Sequence, residues 1–228
     1  MVNAAPTQAV RPSESPPQAE LDRIVAAISA CRLCRDRPMG KRLAHEPRPV
    51  FRVSATATVC IASQAPGTRV HASGTPFTDP SGDRLRAWMG VDAATFYDVS
   101  RIAIVPMGFC FPGLDANGGD LPPRRECAPA WREQLFGALP RIGFVLAVGS
   151  YAHRWHLGDL AKPTLTETVA AWREIMAATA ARGGPLVMPL PHPSWRNNGW
   201  LKQNPWFEAE LLPVLRAEVG RRLGAAAE

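Results

Sequence analysis

No apolar run in this chain approaches the roughly 18 residues that a membrane-spanning helix needs, so a helical bilayer span is excluded. Residues 1–20, MVNAAPTQAVRPSESPPQAE, have no hydrophobic centre after a basic start, and no secretory signal is expected. Cysteine is scarce and odd in number, five in 228 residues, with a spacing unlike that of a small disulfide framework. Internal repeats are absent. Acid is outnumbered, 20 Asp and Glu against 26 Lys and Arg, leaving a net charge of +6 that suits a polyanionic partner without requiring one. The remainder is ordinary: 46% hydrophobic, 20% charged, and long enough for one large domain with a well-buried core. A soluble cytoplasmic monomer is expected, with no membrane partner.

Residues 1–19 are rich in Pro, Ser, Gln and Ala and carry no periodic apolar face, so they read as a disordered tail before a single domain over 20–228. From Glu20, Leu21, Ile24, Val25 and Ile28 recur at helical spacing up to Cys31. Four short apolar runs read as buried parallel strands: Thr58–Ala62, Ile102–Pro106, Phe144–Val148 and Leu186–Leu190. Helical patterns separate them at about 84–89, 124–139, 150–157 and 166–181, and a last one covers 205–223. Such alternation predicts an α/β fold, a three-layer α/β/α sandwich around a mostly parallel four-stranded sheet. Sheets of this kind bind ligands beyond the carboxyl ends of their strands, which directs attention to the residues just after 62, 106, 148 and 190.

All four places hold unusual sequence. After the first strand comes Ser63-Gln64-Ala65-Pro66-Gly67, where Pro66 and Gly67 permit a tight turn that presents backbone N–H groups. Further on, Phe77-Thr78-Asp79-Pro80-Ser81-Gly82 reads as a helix start, with Asp79 or Ser81 as cap and free N–H groups suited to a phosphate. A plain cap at Asp79 and a plain core aromatic at Phe77 explain those two residues equally well. Gly149-Ser150 turns into a helix after the third strand. The fourth strand ends in Pro191-His192-Pro193-Ser194-Trp195-Arg196, and a histidine fixed between two prolines is poorly explained by packing. Arg196 and Lys202 are interleaved with Trp195, Trp200 and Trp206 and no acid, a pattern that can hold phosphates while wedging into a base stack, or can simply pack on the core. Cys31-x2-Cys34 and the pair Cys110 and Cys127 give four thiols suited to zinc or an iron–sulfur cluster, with structural thiols as the alternative; Cys60, inside a strand, reads as a small buried apolar residue. The stretch 32–52 carries a net +5, as a solvated face or a DNA contact would.

Taken in order, Cys-x2-Cys, Gln-Ala-Pro-Gly, Gly-x-Pro-Phe, the later cysteine pair and His-Pro-Ser resemble the uracil-DNA glycosylase superfamily, closest to its iron–sulfur branch, over roughly residues 20–215. That resemblance implies a [4Fe–4S] cluster on Cys31, Cys34, Cys110 and Cys127. It also implies excision of uracil from single- or double-stranded DNA, in base excision repair, by a nucleoid-associated enzyme. The implied roles are His192 as hydrogen-bond donor to uracil O2, and Asp79 as first choice to activate water with His71 as second. Phe77 would stack on the flipped base, Gln64, Ala65, Pro66 and Gly67 would line its edge, and Ser81, Ser150, Ser194 and Arg196 would contact phosphate. The chain departs from the branch at Gln64, where Glu is usual, at Val70 and His71, where another acid is usual, and at Pro106, where an Asn reads the uracil edge. Gly67 leaves open space where a bulky side chain could exclude the thymine methyl. These departures motivate a second expectation, a DNA-binding protein that captures uracil or abasic sites without turnover, with His71 as nucleophile. A zinc-stabilised α/β enzyme acting elsewhere is a third.

Overall fold

The computed structural model describes residues 17–224. In chain order these form α1 (Pro17–Ser29), α2 (Leu33–Asp36), β1 (Val59–Ala62), α3 (Thr68–Ser73), α4 (Pro80–Met89), α5 (Ala93–Tyr97) and β2 (Ile102–Ile104). There follow α6 (Cys127–Gly137), β3 (Phe144–Val148), α7 (Ser150–Leu157), α8 (Leu165–Ala170), α9 (Trp172–Ala181), β4 (Leu186–Leu190), α10 (Asn198–Gln203) and α11 (Leu212–Leu223), the last entered through a π-helical turn, Phe207–Leu211. The expected tail lies outside the described residues up to 16. Residues 17–19 already belong to α1, so the first helix begins earlier than the apolar spacing indicated.

The four strands pair in the order β2-β1-β3-β4, every neighbour parallel. Their side chains alternate between two cores. Cys60, Ala62, Ala103, Val105, Val145 and Ala147 face Leu21 and Ile28 of α1, Leu135 of α6 and Leu157 of α7. On the other side Val59, Ile61, Ile104, Leu146 and Met188 face Leu85 and Trp88 of α4, Phe207, and Leu215 of α11. With both faces covered, each strand reads as an unbroken apolar run. The exposed edge of β2 is closed by Arg52, which pairs antiparallel with Ile104.

The helix expected over 166–181 is two helices. Thr164 and Glu167 form a reciprocal capping box at the start of α8, and the backbone leaves helical geometry at Ala171. That break lets Trp172 enter one core and Ile175 the other. Likewise the helix expected from 124 begins at Cys127.

β1 lies at the centre of the sheet, and the chain runs from it to β2 on one side before returning to β3 on the other. The loops after β1 and β3 therefore diverge, which opens a crevice at the carboxyl edge. Two buried nitrogen-bearing side chains, one charged and one neutral, brace that edge. Arg132 of α6 is fully buried and donates through Nη1 to Val105 O and Pro106 O, where the chain leaves β2. His153 of α7 places Nε2 3.0 Å from both Ala147 O and Leu190 O, joining β3 to β4.

Burial pushes His153 down to about 4, whereas an unfolded histidine titrates near 6.5. Between these values the unfolded chain binds a proton that the native state refuses, so stability is greatest above about pH 6.5 and declines toward pH 4. The expected loss is about 3 kcal/mol from His153 alone. His156, buried against Arg132, adds to it in the same direction. Urea unfolding at pH 7.5 and 4.5 measures the difference, and equal stabilities would show that His153 is not held neutral.

Candidate active site

Beyond the strands, Met107 N–H donates to Ser63 O and Gly108 N–H to Gln64 O, so the loops after β1 and β2 stay in register past the sheet. The first of these loops turns at Pro66 and Gly67 into α3. The chain then returns at Phe77, whose φ of 57° is unusual for a side-chain-bearing residue. Its carbonyl is gripped from several sides: the Tyr97 hydroxyl lies 2.9 Å away and Arg86 Nη1 donates at 3.4 Å. The Phe77 ring meets Phe96 edge to face. Asp79 then caps α4, one oxygen accepting from Gly82 N at 3.2 Å and from Ser81 Oγ at 2.5 Å.

These segments enclose a cavity of about 90 Å³ with Pro66, Phe77, Asp79, Ser81, Asp120 and His192 in its walls. His192 arrives from the far end of the sheet, after β4, and its carbonyl is held by Asn197 Nδ2 at 2.7 Å. Burial lowers the His192 pKa while Asp79 raises it, so the imidazole is neutral at pH 7 and has one N–H to offer. Asp120 comes from the long loop between β2 and α6. Partial desolvation raises its pKa, Arg196 lowers it, and Asp79 raises it again.

An aromatic face, a neutral imidazole and two carboxylates thus converge at the carboxyl edge of a parallel sheet. A family model for the Uracil DNA glycosylase superfamily matches residues 51–216. The chain belongs to that superfamily. Membership gives it a DNA-glycosylase-like hydrolase function in DNA repair, with DNA as partner. No helix among the described residues is long and apolar enough to cross a membrane.

Of the residues singled out from sequence, Ala65, Pro66, Gly67, Phe77, Asp79, Ser81 and His192 line this cavity. Gln64 stands beside it. Ser150 starts α7 at the same edge, and Ser194 accepts Arg84 Nη1 at its carbonyl. Arg196 stacks over Trp195, an indole 74% exposed to solvent. Trp200 and Trp206 pack against Phe207. His71 is not among the cavity's walls. It meets His45 edge to face and Phe111 at a tilt, ring centroids 4.7 and 5.6 Å away, and burial, His45 and Arg48 lower its pKa.

Gly67 does not leave open space. A Cβ there would lie 3.2 Å from Asp120 Oδ2, so the Asp120 carboxylate packs closely against that position. Sequence reasoning missed Asp120. Its signal is faint: Asp115-Ala116-Asn117-Gly118-Gly119-Asp120 is a turn that returns the chain toward Gly113.

The basic stretch 32–52 is partly consumed internally. Arg32 and Arg35 pair with Glu46, and Arg48 donates to His71 O and Ala72 O. Arg37, Lys41 and Arg42 have no ion pair among the described residues.

Cys34, Cys110 and Cys127 are buried and Cys31 partly so, all as free thiols. Burial pushes Cys34 up to about 11, and Cys110 and Cys127 up to about 12; the charges of the other thiols act on each in the same direction. Phe109 N–H donates to Cys127 Sγ and Trp131 Nε1–H to Cys31 Sγ, each at 3.3 Å. Among the described residues no three His, Cys, Asp or Glu side chains are grouped as a single metal ion would need. Cys31 and Cys34 precede the residues matched by the family model.

Proposed function

We propose that this superfamily member excises uracil from DNA, hydrolysing the bond between uracil N1 and deoxyribose C1′ to leave an abasic site in base excision repair. The observation that carries the reading is the convergence of Phe77 and His192 on one cavity, although 114 positions and most of the sheet separate them. The base is rotated out of the stack and laid against the Phe77 ring. Bond cleavage develops negative charge on the base, and the His192 N–H donates to uracil O2; a pre-aimed donor is worth roughly 10²–10³ in rate. A cavity carboxylate activates the attacking water, worth about 10²–10⁴. Arg196 and Ser194 would meet phosphates at the rim, with the exposed Trp195 against the stack.

Cys31, Cys34, Cys110 and Cys127 would hold a [4Fe–4S] cluster. The donor chemistry suits it: four thiols, Cys31 and Cys34 close in sequence and Cys110 and Cys127 at the two ends of the loop after β2, with N–H groups donating to the Cys127 and Cys31 sulfurs as they do to cluster thiolates. Such a cluster would tie the 31–34 segment to both ends of the loop after β2. Its contribution would be structural support for the cavity.

The test is release of free base from oligonucleotides carrying U, T or hypoxanthine opposite each partner base, followed by alkaline cleavage. The same preparation should be brown, with absorbance near about 400 nm that Cys110→Ser abolishes. Multiple-turnover release of free uracil, ahead of hypoxanthine, is expected. A gel-stable protein–DNA adduct without free base would replace this reading with capture of the lesion.

A further inference from the structure

The loop between Cys110 and Cys127 is a shaped arm rather than slack chain. Asp115 Oδ1 accepts from Asn117 N and Gly119 N, both at 2.8 Å, and the backbone closes through Asp115 N to Gly119 O and Leu121 N to Gly113 O. This arm folds back on the β1 loop and delivers Asp120 onto Gly67, in the wall of the cavity that also holds Phe77 and His192.

Two carboxylates then share the cavity, and their commitments differ. Asp79 spends one oxygen on the Ser81 hydroxyl and the Gly82 N–H at the start of α4. That arrangement is a helix cap, and it stabilises α4 whether or not DNA is present. The Asp120 carboxylate accepts no hydrogen bond among the described residues. The β1 loop from Ser63 to Gly74 contains no acid of its own, so any carboxylate on that side of the cavity must come from elsewhere.

The geometry points to Asp120 as the catalytic base of the reaction proposed above, with Asp79 as a positioning residue that sets α4 and Phe77. The inference rests on the glycosylase reading. In the step, one Asp120 oxygen takes a proton from water, and the hydroxide oxygen forms the bond to C1′. The electron pair of the N1–C1′ bond leaves on the uracil anion, which His192 N–H stabilises by hydrogen bonding without transferring its proton. The anion is protonated from solvent, and Asp120 returns its proton to solvent before the next turnover.

The groups acting on Asp120 are Asp79 at the start of α4, Arg196 on the turn after β4 and Asp115 within its own arm; His192 shares the cavity wall with it. Partial desolvation and the two acids raise its pKa, against Arg196. A base with a raised pKa is competent above that pKa and is lost as pH falls through it, so the acid side of the rate profile should belong to Asp120.

The test is single-turnover uracil release at saturating enzyme from pH 4.5 to 8.5 for wild type, Asp120→Asn, Asp120→Glu and Asp79→Asn, with thermal melting of each. Asp120→Asn is expected to lose about 10²–10⁴ in rate, to keep the wild-type melting temperature and DNA affinity, and to lose the acid limb. Asp120→Glu should recover part of the rate and restore a limb. Asp79→Asn should lower the melting temperature and retain an acid limb. An Asp120→Asn rate within threefold of wild type, or an unchanged acid limb, overturns the assignment while leaving the glycosylase reading intact. A wild type that releases no base overturns both.

Discussion

Replacing His192 by alanine should lower the single-turnover rate of uracil release by about 10²–10³, with folding and DNA affinity retained. The size of the effect follows from how the imidazole is held. Pro191 and Pro193 fix the backbone on either side, and Asn197 ties the His192 carbonyl, so the ring is aimed before substrate arrives. Burial keeps it neutral, despite the pull of Asp79. A neutral donor fixed in place needs no rearrangement as the base acquires charge, which distinguishes it from a mobile water at the same position. The side chain makes no hydrogen bond to protein among the described residues, so removing it should change stability by less than about 1 kcal/mol. Rate and melting temperature measured on one preparation separate the two effects. An undiminished rate in His192→Ala would remove the donor role.

Gly82→Ala is expected to damage both stability and activity, although residue 82 contributes no functional group. A Cβ at this position would stand 1.9 Å from Phe77 O and 2.7 Å from its carbonyl carbon. Those are backbone atoms, held by Tyr97 and Arg86, so neither rotamer change nor a flexible neighbour can relieve the overlap. Either α4 moves outward, losing the Asp79 cap, or Phe77 abandons its left-handed conformation and its contact with Phe96. Overpacking of this kind costs about 1–3 kcal/mol, and a displacement of roughly 1 Å at a catalytic constellation costs about 10² in rate. Urea unfolding and the uracil-release assay together report it. A variant with wild-type stability and rate would mean that Phe77 and the start of α4 are not rigidly coupled.

Much of the fold was legible because of burial on two sides. β3 and β4 match the expected residues, and β1 and β2 differ only at their ends, since a strand covered by helices on both faces must be apolar at every position. The short helices α3, α5 and α10 were not anticipated. Each spans six residues or fewer, too little for a periodic apolar face, and local contacts such as the Asp92 cap on Thr95 N decide them. Within the site, Asp79, Phe77 and His192 were legible because Pro and Gly neighbours mark where the chain leaves regular structure. Asp120 and the position of His71 were not, for the contacts that define them join segments far apart in sequence: Gly67 with 120, and His71 with His45 and Phe111.

Order of residues along the chain was enough to specify the layered parallel sheet, the edge at which the site forms and the superfamily. The sheet and its edge follow from periodicity and from breakers, which act over a few residues and are written locally, and the superfamily follows from the order of the short motifs that resemble it. Only the folded chain decided that a second acid, Asp120, joins Asp79 in the cavity wall, that its carboxylate lies against Gly67, and that His71 packs among His45 and Phe111 instead. Those outcomes depend on the path of the arm between Cys110 and Cys127, and a loop without regular periodicity takes its shape from what it packs against.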